Sequence, residues 1–181
     1  MVGRVSRTRR TLDMAQENTH RRKRIHLESI HYNSSENIYF LTMCTDKKQP
    51  YFSNPILSKV IADELEHRHR NREMKLFCYC IMPDHLHLLV SLEEDYLKEK
   101  GAFGERTLQD WVSAFKRYIS RVGSTHNIKP LWQSNFYDHI VRNDESLTGI
   151  CEYILNNPVR RGIVSTSEEY PYARMVDDLP V

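Results

Sequence analysis

Apolar positions in this chain follow two rhythms, and the places where one gives way to the other mark its elements. Residues 1 to about 35 follow neither rhythm and end in the polar run Asn33-Ser34-Ser35-Glu36-Asn37, as an arm or linker would. The stretch Ile38 to Thr45 is short, apolar and β-rich, which predicts a buried strand. Asn54-Pro55 opens a predicted helix, with Ile56, Val60, Ile61 and Leu65 at helical spacing and an end near His67-Arg68-His69-Arg70. Lys75 to Met82 and Leu86 to Leu92 read as two strands, broken by Pro83-Asp84. An acidic loop at 93–105 leads to a second helix. Thr107 is its expected N-cap, Leu108, Trp111, Val112, Phe115, Ile119 and Val122 form its apolar stripe, and Gly123 is its expected stop. Phe136 to Arg142 predicts a fourth strand. A last helix, Leu147 to Leu155, begins at Asp144 or Ser146 and closes at Asn156-Asn157-Pro158.

The order strand, helix, strand, strand, helix, strand is that of an α+β, ferredoxin-like split βαβ sandwich. The expected architecture is an antiparallel four-stranded sheet with helices on one face and a C-terminal helical extension. A basic N-terminal arm (1–35) precedes this domain (36–181). The fold hosts many activities, so function has to come from the residues it carries.

Composition changes this picture in two places. The net charge of the 181 residues is only +2, yet Arg4, Arg7, Arg9, Arg10, Arg21, Arg22, Lys23 and Arg24 face only Asp13 and Glu17 within the first 24. Such an arm suits a polyanion through phosphate neutralisation and counterion release. Cys44, Cys78, Cys80 and Cys151 lie in apolar runs without metal-ligand spacing, as reduced, buried thiols would. No apolar run approaches the roughly 20 residues that span a bilayer, and no apolar segment follows the N-terminal arginines. A cytoplasmic, non-membrane protein is therefore expected.

His85-Leu86-His87 is the first candidate for chemistry. On a strand, period-two alternation puts both imidazoles on one face, where they can share a divalent cation. His67 and His69 have the same spacing on a predicted helix, where they diverge. With nine histidines in the chain, the pair alone is a weak signal. Tyr118, three residues after Phe115, lies on or beside the stripe of the second helix, but spacing does not choose among ten tyrosines.

The run Met82-Pro83-Asp84-His85-Leu86-His87-Leu88-Leu89-Val90 resembles the histidine signature of IS200/IS605-type single-tyrosine transposases, and in particular of REP-associated tyrosine transposases. Trp111 to Tyr118 resembles that family's tyrosine helix, and Leu131 to Arg142 the block after it. Glu152-Tyr153-Ile154-Leu155-Asn156-Asn157-Pro158-Val159 with Gly162-Ile163-Val164 is similar to its C-terminal block. The resemblance implies metal-dependent nicking and strand transfer on single-stranded DNA hairpins through a 5′-phosphotyrosine. It assigns His85 and His87 to Mg²⁺ or Mn²⁺ and makes Tyr118 the nucleophile; imidazole ligation leans toward Mn²⁺. Insertion-sequence members place a polar third ligand one turn after the tyrosine, where this chain has Val122. The third ligand would then be water or a side chain from elsewhere, with Asp46, Asp138 and His139 as the candidates. That departure favours an alternative, a hairpin-binding protein without chemistry; a nuclease using water is a third reading. Arg21, Arg22, Lys23, Arg24, Lys116, Arg117, Arg121, Arg160 and Arg161 are candidate phosphate contacts, and Tyr137 or Tyr172 candidate base-stacking rings. The resemblance leaves monomer and homodimer both open, and implies a bacterial, nucleoid-associated setting.

Overall fold

The structure, a computed structural model, describes residues 34–101, 104–142 and 145–180. Most of the N-terminal arm, with Arg21, Arg22, Lys23 and Arg24, lies outside the described residues. The elements are β1 (Tyr39–Cys44), α1 (Pro55–Arg70), β2 (Met74–Met82), β3 (His85–Leu92), α2 (Glu94–Lys98), β4 (Lys100–Gly101), β5 (Gly104–Glu105), α3 (Leu108–Thr125), β6 (Tyr137–Ile140), α4 (Leu147–Leu155), α5 (Asn157–Arg160) and β7 (Ala173–Met175).

The main sheet has the order β6-β1-β3-β2-β7 and every neighbouring pair is antiparallel. Its first four strands have the ferredoxin-like order that the sequence predicts. The sheet has five strands rather than four, because Ala173–Met175 pairs with Cys78–Cys80 at the β2 edge. A three-residue strand carries too little periodicity to be read from sequence, and only the exposed edge of β2 gives it a partner.

Alternation along the strands sorts two cores. Tyr39, Leu41, Met43, Leu86, Leu88 and Val90 pack with Leu57, Ile61 and Leu65 of α1 and with Trp111, Phe115 and Ile119 of α3. On the opposite face, Phe77, Cys78, Cys80, Met82 and Leu89 pack with Cys151 and Ile154 of α4. Helices therefore cover both faces, not one. A bulge between Leu76 and Cys78 puts Phe77 and Cys78 side by side in this second core and enlarges its apolar floor.

Local chemistry explains the helix limits. Asn54 accepts from the backbone N–H of Ile56, and Pro55 follows as the first helical residue. α1 runs through the basic segment to Arg70 because Arg68 pairs with Glu64 at 2.7 Å and with Glu73 at 2.8 Å. Thr107 and Asp110 form a reciprocal capping box at the start of α3. α3 continues past Gly123, which serves packing rather than termination: a Cβ there would stand 3.3 Å from Leu131 Cδ2. The segment expected as a loop at 93–105 contains α2 and the β4–β5 pair. Ser146 caps α4, its hydroxyl accepting from the Gly149 N–H, while Asp144 lies outside the described residues. All four cysteines are free thiols; Cys78 Sγ lies 2.8 Å from Cys151 Sγ, where β2 meets α4.

Candidate active site: a histidine pair facing a tyrosine helix

In β3, Leu86 and Leu88 point into the α1/α3 core, so His85 and His87 point to the other face. Both rings are 6 % exposed, and their Nε2 atoms converge to 3.1 Å. The far nitrogen of each ring is held. His85 Nδ1 meets Asp84 Oδ1 at 2.6 Å, and His87 Nδ1 meets Thr42 Oγ1 at 2.8 Å across the β1–β3 ladder. A carboxylate can only accept, so His85 carries its proton on Nδ1 and turns the Nε2 lone pair toward His87. Burial lowers the pKa of His85 despite Asp84, and burial with the neighbouring His85 and Arg161 pushes His87 down to about 3. Both imidazoles are neutral at neutral pH, the form that binds metals.

The helix above these rings is α4. Cys151 and Ile154 anchor it to the sheet, leaving Tyr153 39 % exposed with its ring centroid 5.9 Å from that of His87. Phe40 packs against both, 5.4 Å from His87 and 6.1 Å from Tyr153. The Arg160 guanidinium sits 4.7 Å over the Tyr153 ring. Asn157, one helical turn beyond Tyr153, is buried at 6 % exposure in α5.

Tyr118 is not brought to the histidines. It lies on α3, beside Asp63, Glu64, His67 and Arg70 of α1, with the Arg121 guanidinium 5.9 Å from its ring. The sheet stands between it and the pair. The reason is alternation: the strand that sends Leu86 and Leu88 to α3 must send His85 and His87 away from it. The signal that would have found Tyr153 is its spacing to Asn157, a polar residue one turn on, where Tyr118 has Val122.

The sequence family described as "Transposase IS200 like" matches residues 33–157, a span that holds β1 to β6, the histidine pair and Tyr153. The chain belongs to the IS200-like transposase family. Among relatives of this IS200-like chain, an uncharacterised protein of Haemophilus influenzae is 29% identical over 164 residues, covering 77% of this chain and 89% of that protein. The REP-associated tyrosine transposase of Escherichia coli K12 is 26% identical over 110 residues, spanning 61% of this chain and 59% of its own length. The solved structure of a REP-associated tyrosine transposase bound to a REP hairpin shares the fold. Its TM-score is 0.56 and its identity 19%, over 76% of this chain and 75% of that one.

The other candidates divide between the two faces. Arg160 and Arg161 are exposed beside the pair, and Arg161 is among the charges that lower both histidines. Lys48 also lowers the His85 pKa. It follows Thr45, whose N–H and hydroxyl both bond the Asp84 carbonyl oxygen. Arg117 and Arg121 are exposed on α3, on the side away from the histidines. Lys116 is taken up internally: its Nζ donates to the carbonyls of Gln133 and Asn135, and burial pushes its pKa down to about 8. It ties α3 to the segment before β6.

Of the three substitute ligands, Asp138 pairs with Leu41 and so faces the α1/α3 side, and His139 is held by Glu145 at 2.7 Å. Asp46 lies in the turn after β1, its N–H bonded to the Leu131 carbonyl. Among the described residues no three His, Cys, Asp or Glu side chains gather as a metal site. No described helix is long and apolar enough to cross a membrane.

Proposed function

We propose that this chain nicks and rejoins single-stranded DNA at hairpin sequences, with Tyr153 as the nucleophile and a divalent cation on His85 and His87. The observation that carries the reading is the Tyr153 ring, 5.9 Å from His87 on the face where the two Nε2 atoms converge. The pair fits a cation. In an octahedral shell with bonds of about 2.1 Å, neighbouring ligands stand about 3.0 Å apart, close to the 3.1 Å between these nitrogens. Asp84 and Thr42 on the outer nitrogens orient the rings as metal-bound histidines are commonly oriented. Asn157 supplies a third, oxygen donor, at the one-turn spacing after Tyr153 that the family resemblance requires. Mg²⁺ or Mn²⁺ bound there would offset phosphate charge.

Tyr153 Oη attacks phosphorus, the bond to the 3′ oxygen breaks, and the phosphate stays on the tyrosine as a 5′-phosphotyrosyl ester. The phenol proton leaves to solvent and the released 3′ oxygen takes one up, so one phosphodiester replaces another and the step can run backwards for strand transfer. Arg160 over the Tyr153 ring and Arg161 beside the pair supply positive charge that would neutralise the phosphate. The reading as a binding protein without chemistry drew on Val122; with Tyr153 as the reference residue, the polar position is Asn157 and that ground disappears.

The test is a labelled single strand carrying the hairpin next to the gene, incubated with Mn²⁺ or Mg²⁺ and resolved on a denaturing gel. A covalent protein–DNA band is expected for the wild type and for Tyr118→Phe, and none for Tyr153→Phe. A band lost in Tyr118→Phe and kept in Tyr153→Phe would overturn the assignment.

A further inference from the structure

Beside Tyr153 the surface opens into a cleft of about 460 Å³, lined by Phe40, Glu145, Ser146, Gly149, Ile150 and Tyr153. Its walls are mainly apolar. Phe40 forms the floor, with Tyr153 edge-on at 6.1 Å and the half-exposed Tyr137 edge-on at 6.4 Å. One acid stands at the rim: the Glu145 carboxylate accepts from His139 at 2.7 Å and from the Arg142 N–H at 3.3 Å. Two oxygens offer about four acceptor positions, so acceptor capacity remains.

An acid within reach of a nucleophile that must receive a polyanion is out of place if the cleft takes phosphate. It is in place if the cleft takes a planar ring with a donor on its edge. Aromatic faces stack on any unpaired base, and a carboxylate pairs with an exocyclic amino group such as that of cytosine. We propose that this cleft is a nucleobase pocket: it holds one unpaired base beside the scissile phosphate, and Glu145 favours amino-bearing bases over thymine. The inference rests on the reading that single-stranded DNA crosses the histidine pair.

Gly149 gives the means to close the pocket without substituting the histidines or Tyr153. A Cβ there would stand 3.4 Å from Ser146 Oγ, so a leucine is accommodated on the helix and its side chain fills the cleft. Oligodeoxycytidine and oligothymidine dodecamers differ at the 4-amino or 4-carbonyl group, at N3 and at the 5-methyl group, and only cytosine presents an exocyclic amino group to Glu145. Their affinities are measured by fluorescence anisotropy in mildly alkaline buffer, where cytosine is uncharged. The wild type is expected to bind oligodeoxycytidine roughly fivefold or more tighter. Glu145→Gln and Gly149→Leu, with wild-type melting behaviour, are expected to bring the two ligands to near parity. Equal affinities in the wild type, or a preference that survives both substitutions, overturn the pocket. If that happens while the Tyr153-dependent covalent band persists, only the pocket falls. If neither oligonucleotide binds the wild type, the pocket falls, and the DNA reading falls with it only where the Tyr153-dependent covalent band is absent too.

Discussion

In the proposed metal site, Asp84 and Thr42 would act without touching the ion. Each holds the outer nitrogen of one histidine, and without that hold an imidazole is free to rotate or to change tautomer. Asp84→Asn and Thr42→Val are therefore expected to weaken Mn²⁺ binding about 10- to 100-fold, measured by calorimetry. More Mn²⁺ should restore covalent adduct formation in both variants. Unchanged Mn²⁺ affinity in Asp84→Asn would mean that the histidines are not the ligands. Burial shapes a second residue-level outcome. In the unfolded chain a histidine titrates near ~6.5, whereas folded His87 stays neutral down to about 3 and His85 is shifted in the same direction. Between those values the unfolded chain binds more protons, so metal-free protein is fully stable above about 6.5 and loses stability as pH falls. Thermal melting over that range should show the loss, and His87→Gln should flatten it.

Two helices illustrate what an element decides. α3 is the more legible: its apolar stripe, its threonine cap and its tryptophan all point to a core helix, and Trp111 stacks on Phe115 beneath Arg68. Trp111→Ala should destabilise the fold by about 3–5 kcal/mol, read as a lower denaturant midpoint. Thr107→Ala should cost about 1 kcal/mol through the lost cap. α4 is shorter and, in the proposed reaction, has the greater consequence, because it carries Tyr153. Its grip on the sheet is mainly Cys151 and Ile154. Ile154→Ala is expected to cost about 2–5 kcal/mol and to reduce adduct yield more than a change of equal cost in the α1/α3 core. Equal yields for Ile154→Ala and Leu57→Ala at matched stability would show that α4 is not the positioning element.

In the whole molecule, the histidine pair and Tyr153 face one another within a single chain. One copy therefore holds every group the proposed reaction needs. The initial rate of adduct formation per mole of protein should not change with protein concentration at saturating DNA; a rate rising with concentration would indicate that a second copy supplies part of the site.

The amino-acid sequence alone determined the order of the large elements, the split βαβ topology and the histidine pair. Each rests on short-range pattern: apolar period, caps, turn residues and alternation along one strand. It also carries the Tyr153–Asn157 spacing, which gains meaning only once Tyr153 is placed beside the histidines. Tertiary structure decided which face of the sheet each helix covers. A period-two strand states that His85 opposes Leu86, not which helix claims the leucine side. α3, with the larger apolar stripe, packs on Leu86 and Leu88, and α4, arriving later in the chain, covers the face that remains. That allocation, made by burial of the larger apolar surface, separates Tyr118 from the histidines and brings Tyr153 to them.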